Sequence, residues 1–234
     1  VNGFDDAVLT FLTQHAFHSA LVNHAIRALT DLYTVKGLLL ITVLWWMWLA
    51  RGDNSERALW QREMVIAIIA SGLIALVAGR LLAHYLPYRV RPIHDPSVHL
   101  HFPESTYTEA ALRFWSSFPS DHAMLWGAVA TGIFLVYRTL GTLAIIYTLL
   151  FILFPRVYLG LHYPTDVLAG LALGIAVVIV MTRDAVRRGT ARPILRWIER
   201  APSIGYTLAF LLCFELITQF DEIRIVGQAI KKVL

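Results

Sequence analysis

Apolar residues fill the chain from Val35 to Thr218 in long blocks that short polar stretches separate. A helix crossing the hydrocarbon core of a bilayer needs about 20 mainly apolar residues, with a range of roughly 17–25. On that measure the pattern predicts spans at Tyr33–Ala50, Met64–Ala83, His122–Tyr137, Leu140–Phe154, Thr165–Thr182 and Ile204–Gln219. Two of them are short, which tilting, local thinning or cover by neighbouring helices must accommodate. Ahead of them, polar residues from Asp5 to Asp31 interrupt the apolar ones, yet Leu21, Val22, Ala25, Ile26 and Leu29 recur at helical spacing. One or two amphipathic helices lying in the membrane interface are expected there. The expected fold is therefore all-α: a polytopic membrane bundle of about six transmembrane helices in one domain. Residues 1–32 supply the interfacial helices, 33–220 the bundle and 221–234 a tail.

Composition supports a membrane protein and excludes an ordinary soluble enzyme, because 57% of the residues are hydrophobic and only 15% charged, against about 25% charged in soluble domains. The net charge of +4 does not point to nucleic acid, since the basic residues sit between apolar runs rather than along one face. They report topology instead. Arg51, Arg57 and Arg62, then Arg138, then Arg183, Arg187, Arg188, Arg192, Arg196 and Arg200 fall in alternate connections, and positively charged loops stay cytoplasmic. The loops Leu86–Asp121 and Pro155–Pro164 then share the other side. Trp45, Trp46 and Trp48 read as an interfacial aromatic belt. Cys213 is the only cysteine, which excludes an intrachain disulfide. No signal peptide is expected at the start, where no basic segment precedes a short apolar core.

Three polar clusters lie on that second side, each where a loop meets a helix end: Arg89-Val-Arg91-Pro92, Pro119-Ser120-Asp121-His122, and Arg156 followed by His162 and Asp166. Guanidinium forks bind tetrahedral oxyanions bidentately, and phosphoryl transfer is mostly positioning and charge stabilisation. Two imidazoles, a hydroxyl and a carboxylate complete a phosphoryl-transfer set. His94, Asp95, His99, His101 and Glu104 are residue types that zinc accepts, but their loop spacing fixes no geometry, so neither a metal nor another cofactor is expected. A transporter using Arg80, Glu215 and the loop histidines as a polar path is the alternative from another class. Discontinuous helices and related halves would favour it; neither is visible in the sequence.

The three clusters resemble, in order and spacing, the motif set of the type 2 phosphatidic acid phosphatase (PAP2) superfamily of lipid phosphatases, over about residues 80–170. The stretches Ser117-Phe-Pro-Ser-Asp-His-Ala123 and His162-Tyr-Pro-Thr-Asp166 further resemble the branch acting on undecaprenyl pyrophosphate. The resemblance implies that His162 attacks phosphorus, that Asp166 fixes its tautomer, and that His122 is the general acid and base. Arg91, Arg156, Arg89 and Ser120 would hold the phosphate oxygens. It implies a lipid phosphate as substrate, and with the loop charges above the expected place is an inner (cytoplasmic) membrane with the site facing outward and no nucleic-acid partner. Phosphatidic acid or phosphatidylglycerophosphate hydrolysis, or transfer to an acceptor lipid, would use the same first step. Three positions depart from the family pattern: His84 replaces its Lys, Pro155 its Ser and Asp121 its Gly. Arg89, or less directly Arg80, is the expected substitute for the missing cation, and Asp121, where the family has Gly, is expected to hold His122 or Arg89.

Overall fold

The computed structural model describes residues 1–16, 19–50, 54–103 and 115–221, and every regular element among them is helical. Two N-terminal helices, α1 (Gly3–Ala16) and α2 (Ala20–Asp31), precede α3 (Thr34–Leu49), whose first turn, Thr34–Leu38, is π-helical. α2 and α3 are bent by 62°. There follow α4 (Ser55–Tyr85), α5 (Asp121–Val136), α6 (Arg138–Tyr158), α7 (Pro164–Met181), α8 (Asp184–Arg200) and α9 (Pro202–Thr218). A second π-helical turn, Thr148–Leu153, lies in α6 just before Arg156.

Three helices, α4, α6 and α7, are both long and apolar enough to cross a bilayer, and a fourth span results if α2 and α3 count as one. The protein is an integral membrane protein. The expected count of six spans is not confirmed, because α5 and α9 are apolar but 16 and 17 residues long. Helix α4 also starts earlier than expected: Asn54 caps it by accepting from the Arg57 amide at 2.8 Å, so Arg57 and Arg62 are helical. The arginine-rich segment 183–200 is not a loop. It folds as α8, which buries Arg187, Ala191, Leu195 and Ile198 on one face. The buried Glu63 carboxylate of α4 accepts from Arg187 Nε at 3.1 Å and Arg192 Nε at 2.7 Å, fastening α8 to the bundle.

Helix α5 is the hub, packed between α4, α6 and α7. Its Leu125, Trp126, Ala128 and Val129 are fully enclosed. Glycines let α7 approach it backbone to backbone, as small residues do between membrane helices. A Cβ at Gly174 would lie 2.3 Å from the Met124 carbonyl oxygen, and one at Gly170 2.5 Å from that of Ser120. The N-termini of α5 and α7 are thereby pinned together, and the Ser120 amide donates to the Asp166 carbonyl at 3.2 Å. That junction carries the polar clusters.

Candidate active site

The turn from α6 to α7 sets the position of His162. Gly160 takes a positive φ of 68°, a conformation that costs glycine little, and the chain doubles back so that the amides of Leu161 and His162 both donate to the Arg156 carbonyl, at 2.9 and 3.2 Å. The His162 ring, 2% exposed, places Nδ1 2.8 Å from the Ser117 carbonyl oxygen. A carbonyl only accepts, so Nδ1 carries the proton and Nε2 presents a lone pair. Arg91 Nη1 stands 3.2 Å from that Nε2 and also donates to the Leu161 carbonyl at 2.7 Å. Its Nε is buried and has no partner among the described residues, leaving a donor open to an anion.

Asp166, expected to fix the tautomer of His162, is fully buried and makes no direct hydrogen bond to it. Its Oδ2 is 3.9 Å from Nδ1 and accepts instead from the Ser117 hydroxyl and, at 2.8 Å, from the Tyr163 amide. Asp166 thus orients His162 at one remove, by fixing the residue whose carbonyl holds the ring. Arg89 also differs from expectation. Its guanidinium is engaged by Asp166 Oδ1 and, at 2.7 Å, by Asp5 Oδ2, and it lies over the Tyr163 ring at 4.0 Å. Bracketed by two carboxylates, it has little left to offer a phosphate. Asp5, on α1, also accepts from the amide and hydroxyl of Thr165 at 2.9 and 2.7 Å, so the N-terminal helix is clasped to the start of α7.

Across the site, Arg156 Nη2 donates to His122 Nε2 at 2.6 Å, and His122 Nδ1 faces Asp121 Oδ1 at 2.8 Å. Since arginine only donates, this His122 has its proton on Nδ1. Asp121 therefore holds His122, one of its two expected roles, and its second oxygen is 3.8 Å from Arg80 Nε. The Ser120 hydroxyl caps α5, accepting from the Ala123 amide at 3.4 Å, and the residue is fully buried beside Asp166.

The structure thus brings His162, Arg91, Arg156 and His122 together, with Ser120 at the helix start and Asp166 and Arg89 behind them. Burial, and next the charge of Arg91, hold the His162 imidazole well below its ordinary pKa, which keeps it unprotonated and nucleophilic at neutral pH. An incoming phosphoryl oxygen would replace Nε2 as the acceptor for Arg91 and uncover the lone pair. Of the loop residues weighed as metal ligands, Asp95 accepts from the Tyr163 hydroxyl at 2.7 Å and from Ser97, and Glu104 lies outside the described residues. Among the described residues no group of three His, Cys, Asp or Glu is placed to hold a metal ion.

The PAP2 superfamily model matches residues 60–190 of this chain. A Bacillus licheniformis protein named bacitracin transport permease protein BcrC is 27% identical over 55% of this chain and 56% of its own length. The Sulfolobus acidocaldarius undecaprenyl-diphosphatase is 32% identical over 48% of this chain and 51% of its own. The Bacillus subtilis undecaprenyl-diphosphatase BcrC is 27% identical over 68% and 73%. The chain thus spans about half the length of the first two. Among solved structures, Aquifex aeolicus LpxE superposes with a TM-score of 0.49 at 21% identity, covering 75% of this chain and 92% of that one.

Proposed function

The chain belongs to the PAP2 superfamily, and we propose that it is a lipid phosphatase that hydrolyses undecaprenyl pyrophosphate to undecaprenyl phosphate through a phosphohistidine on His162. The observation that carries this reading is the pair of imidazoles, each held by a fixed acceptor on Nδ1 and faced on Nε2 by a buried arginine. The names of two relatives support the choice of substrate.

In the first step His162 Nε2 forms a bond to the terminal phosphorus, the bond from phosphorus to the bridging oxygen breaks, and its electron pair stays on that oxygen. Arg91 and Arg156 hold the non-bridging oxygens, assisted by Ser120 and the amides at the start of α5. When Arg156 turns to the phosphate it releases His122 Nε2, which takes up a proton while Asp121 stabilises the imidazolium. His122 gives that proton to the leaving oxygen. In the second step His122 removes a proton from water, the hydroxide attacks the phosphohistidine, and inorganic phosphate departs with His162 restored. The positive charge in this scheme comes from arginine. Phosphate release from purified protein is therefore expected to survive EDTA and to be faster with undecaprenyl pyrophosphate than with phosphatidic acid or phosphatidylglycerophosphate. Release from none of the three lipids would refute the reading.

The proposed topology has six spans, with α5 and α9 as short ones under cover of their neighbours, and a site facing outward at headgroup depth. A polyprenyl chain is too long to leave the bilayer, so the lipid enters sideways between helices. In a Cys213→Ser background, Ser97→Cys is expected to react with an impermeant maleimide in intact cells and Thr190→Cys is not. Labelling of Thr190→Cys alone would invert the topology.

A further inference from the structure

The cation that the family pattern puts at position 84 is not supplied there. His84 is an exposed residue near the end of α4, its ring edge-on to Tyr85 at 5.1 Å. Nor do the two expected substitutes offer a free charge. Arg89 is bracketed by Asp5 and Asp166, and Arg80 donates to the Gln219 carbonyl at 2.6 Å while meeting Asp121 and Asp221 at 3.8 and 3.9 Å.

Lys36 is the exception. It sits on the π-helical turn that opens α3, a distortion frequent at functional positions. Its ammonium lies over the Tyr33 ring at 4.5 Å and has no carboxylate within 4.0 Å among the described residues. A set of contacts links it to His122. Tyr33 donates to Asp221 at 3.5 Å, Asp221 meets Arg80, Arg80 meets Asp121, and Asp121 holds His122. The next residue, Gly37, packs directly against Trp126, one turn along α5 from His122, where a Cβ would fall 2.3 Å from the indole ring. The preceding residue, Val35, accepts at its carbonyl from the Tyr147 hydroxyl of α6, so the turn that carries Lys36 is seated against both α5 and α6. The turn that carries Lys36 therefore lies on the His122 side of the site, against α5 one turn from His122.

In-line displacement puts nucleophile and leaving group on opposite sides of the phosphorus. The oxygen that leaves toward His122 therefore carries its substituent toward Lys36. On a monophosphate ester that substituent is a neutral carbon; on a diphosphate it is the inner phosphate, which gains charge as the bond breaks. We propose that Lys36 binds the inner phosphate of a lipid diphosphate and thereby selects diphosphates over monophosphates. The proposal rests on the phosphatase reading above and names which of its substrates the site is built to prefer.

Farnesyl diphosphate and farnesyl monophosphate share one tail and differ only in the inner phosphate, so their rates on purified wild type, Lys36→Met and Lys36→Arg test it. Lys36→Met is expected to lose about ten- to hundredfold in kcat/KM on the diphosphate, the range for a hydrogen bond to a charged group. It should stay within about twofold of wild type on the monophosphate, which also shows that the variant is folded, and Lys36→Arg should recover most of the loss. Equal losses on both substrates, or no loss on either, would overturn the assignment of Lys36 while leaving the phosphatase intact. A wild type that cleaves the monophosphate but not the diphosphate would overturn the diphosphatase reading and this inference together.

Discussion

Alanine at His162 is expected to reduce phosphate release by on the order of 10⁴-fold or more, to background, while the detergent-solubilised protein stays folded. The enclosed ring is held by one carbonyl and one arginine, and the loss is expected to fall on chemistry rather than on stability. Without Nε2 there is no acceptor for the phosphoryl group, and residues acting as one catalytic unit fail together. Alanine at His122 removes only acid and base assistance, about 10²–10⁴-fold. The two variants separate on an aryl phosphate whose leaving group needs no proton: His122→Ala should recover part of its bond-cleavage rate and His162→Ala none. Near wild-type release by either on the lipid substrate would contradict the assigned roles.

Arg156→Ala is expected to cost about 10²–10³-fold in kcat, the range for losing one preorganised donor to a transition-state oxygen, and to alter the pH profile as well. In the proposed mechanism Arg156 faces the phosphate, and in the resting site its Nη2 donates to His122 Nε2 at 2.6 Å. Its removal lets His122 acquire a proton before substrate binds, since Asp121 favours the cation. The expected outcome is a basic shift of the limb that reports His122 in kcat/KM, measured on the purified variant. An unchanged profile with unchanged kcat would remove Arg156 from the mechanism.

Much of the site was legible because its pieces are local. His162 and Asp166 are four residues apart, and Ser120, Asp121 and His122 are adjacent, so each group falls within one short stretch where a loop meets a helix end. What was missed is non-local. Asp5 meets Arg89 across 84 residues, and no pattern near Asp5 marks it as anything but an acidic residue in the first turn of an amphipathic helix. The turn that carries Lys36 is seated against α5 by Gly37, which packs on Trp126, and nothing in the local sequence signals that contact. Arg89 resembled a phosphate ligand until its two carboxylate partners were placed. In α8, the buried spacing of Arg187, Ala191, Leu195 and Ile198 was present in the sequence, but its arginines masked the helical face. Apolar blocks marked α4, α6 and α7, the three helices long and apolar enough to cross a bilayer, whereas the length of each and the 62° bend between α2 and α3 depend on capping and packing that hydropathy does not record.

The central claim is that the phosphoryl group passes through His162. Rapid alkaline quenching of the enzyme after mixing with a lipid diphosphate labelled in its terminal phosphate, followed by peptide mass spectrometry, tests it directly, because phosphohistidine survives base. The account predicts label on the peptide containing His162, increased in His122→Ala with the activated substrate because hydrolysis of the intermediate then lacks its base. Turnover with no label at any time point, or label on His122 instead, would contradict it.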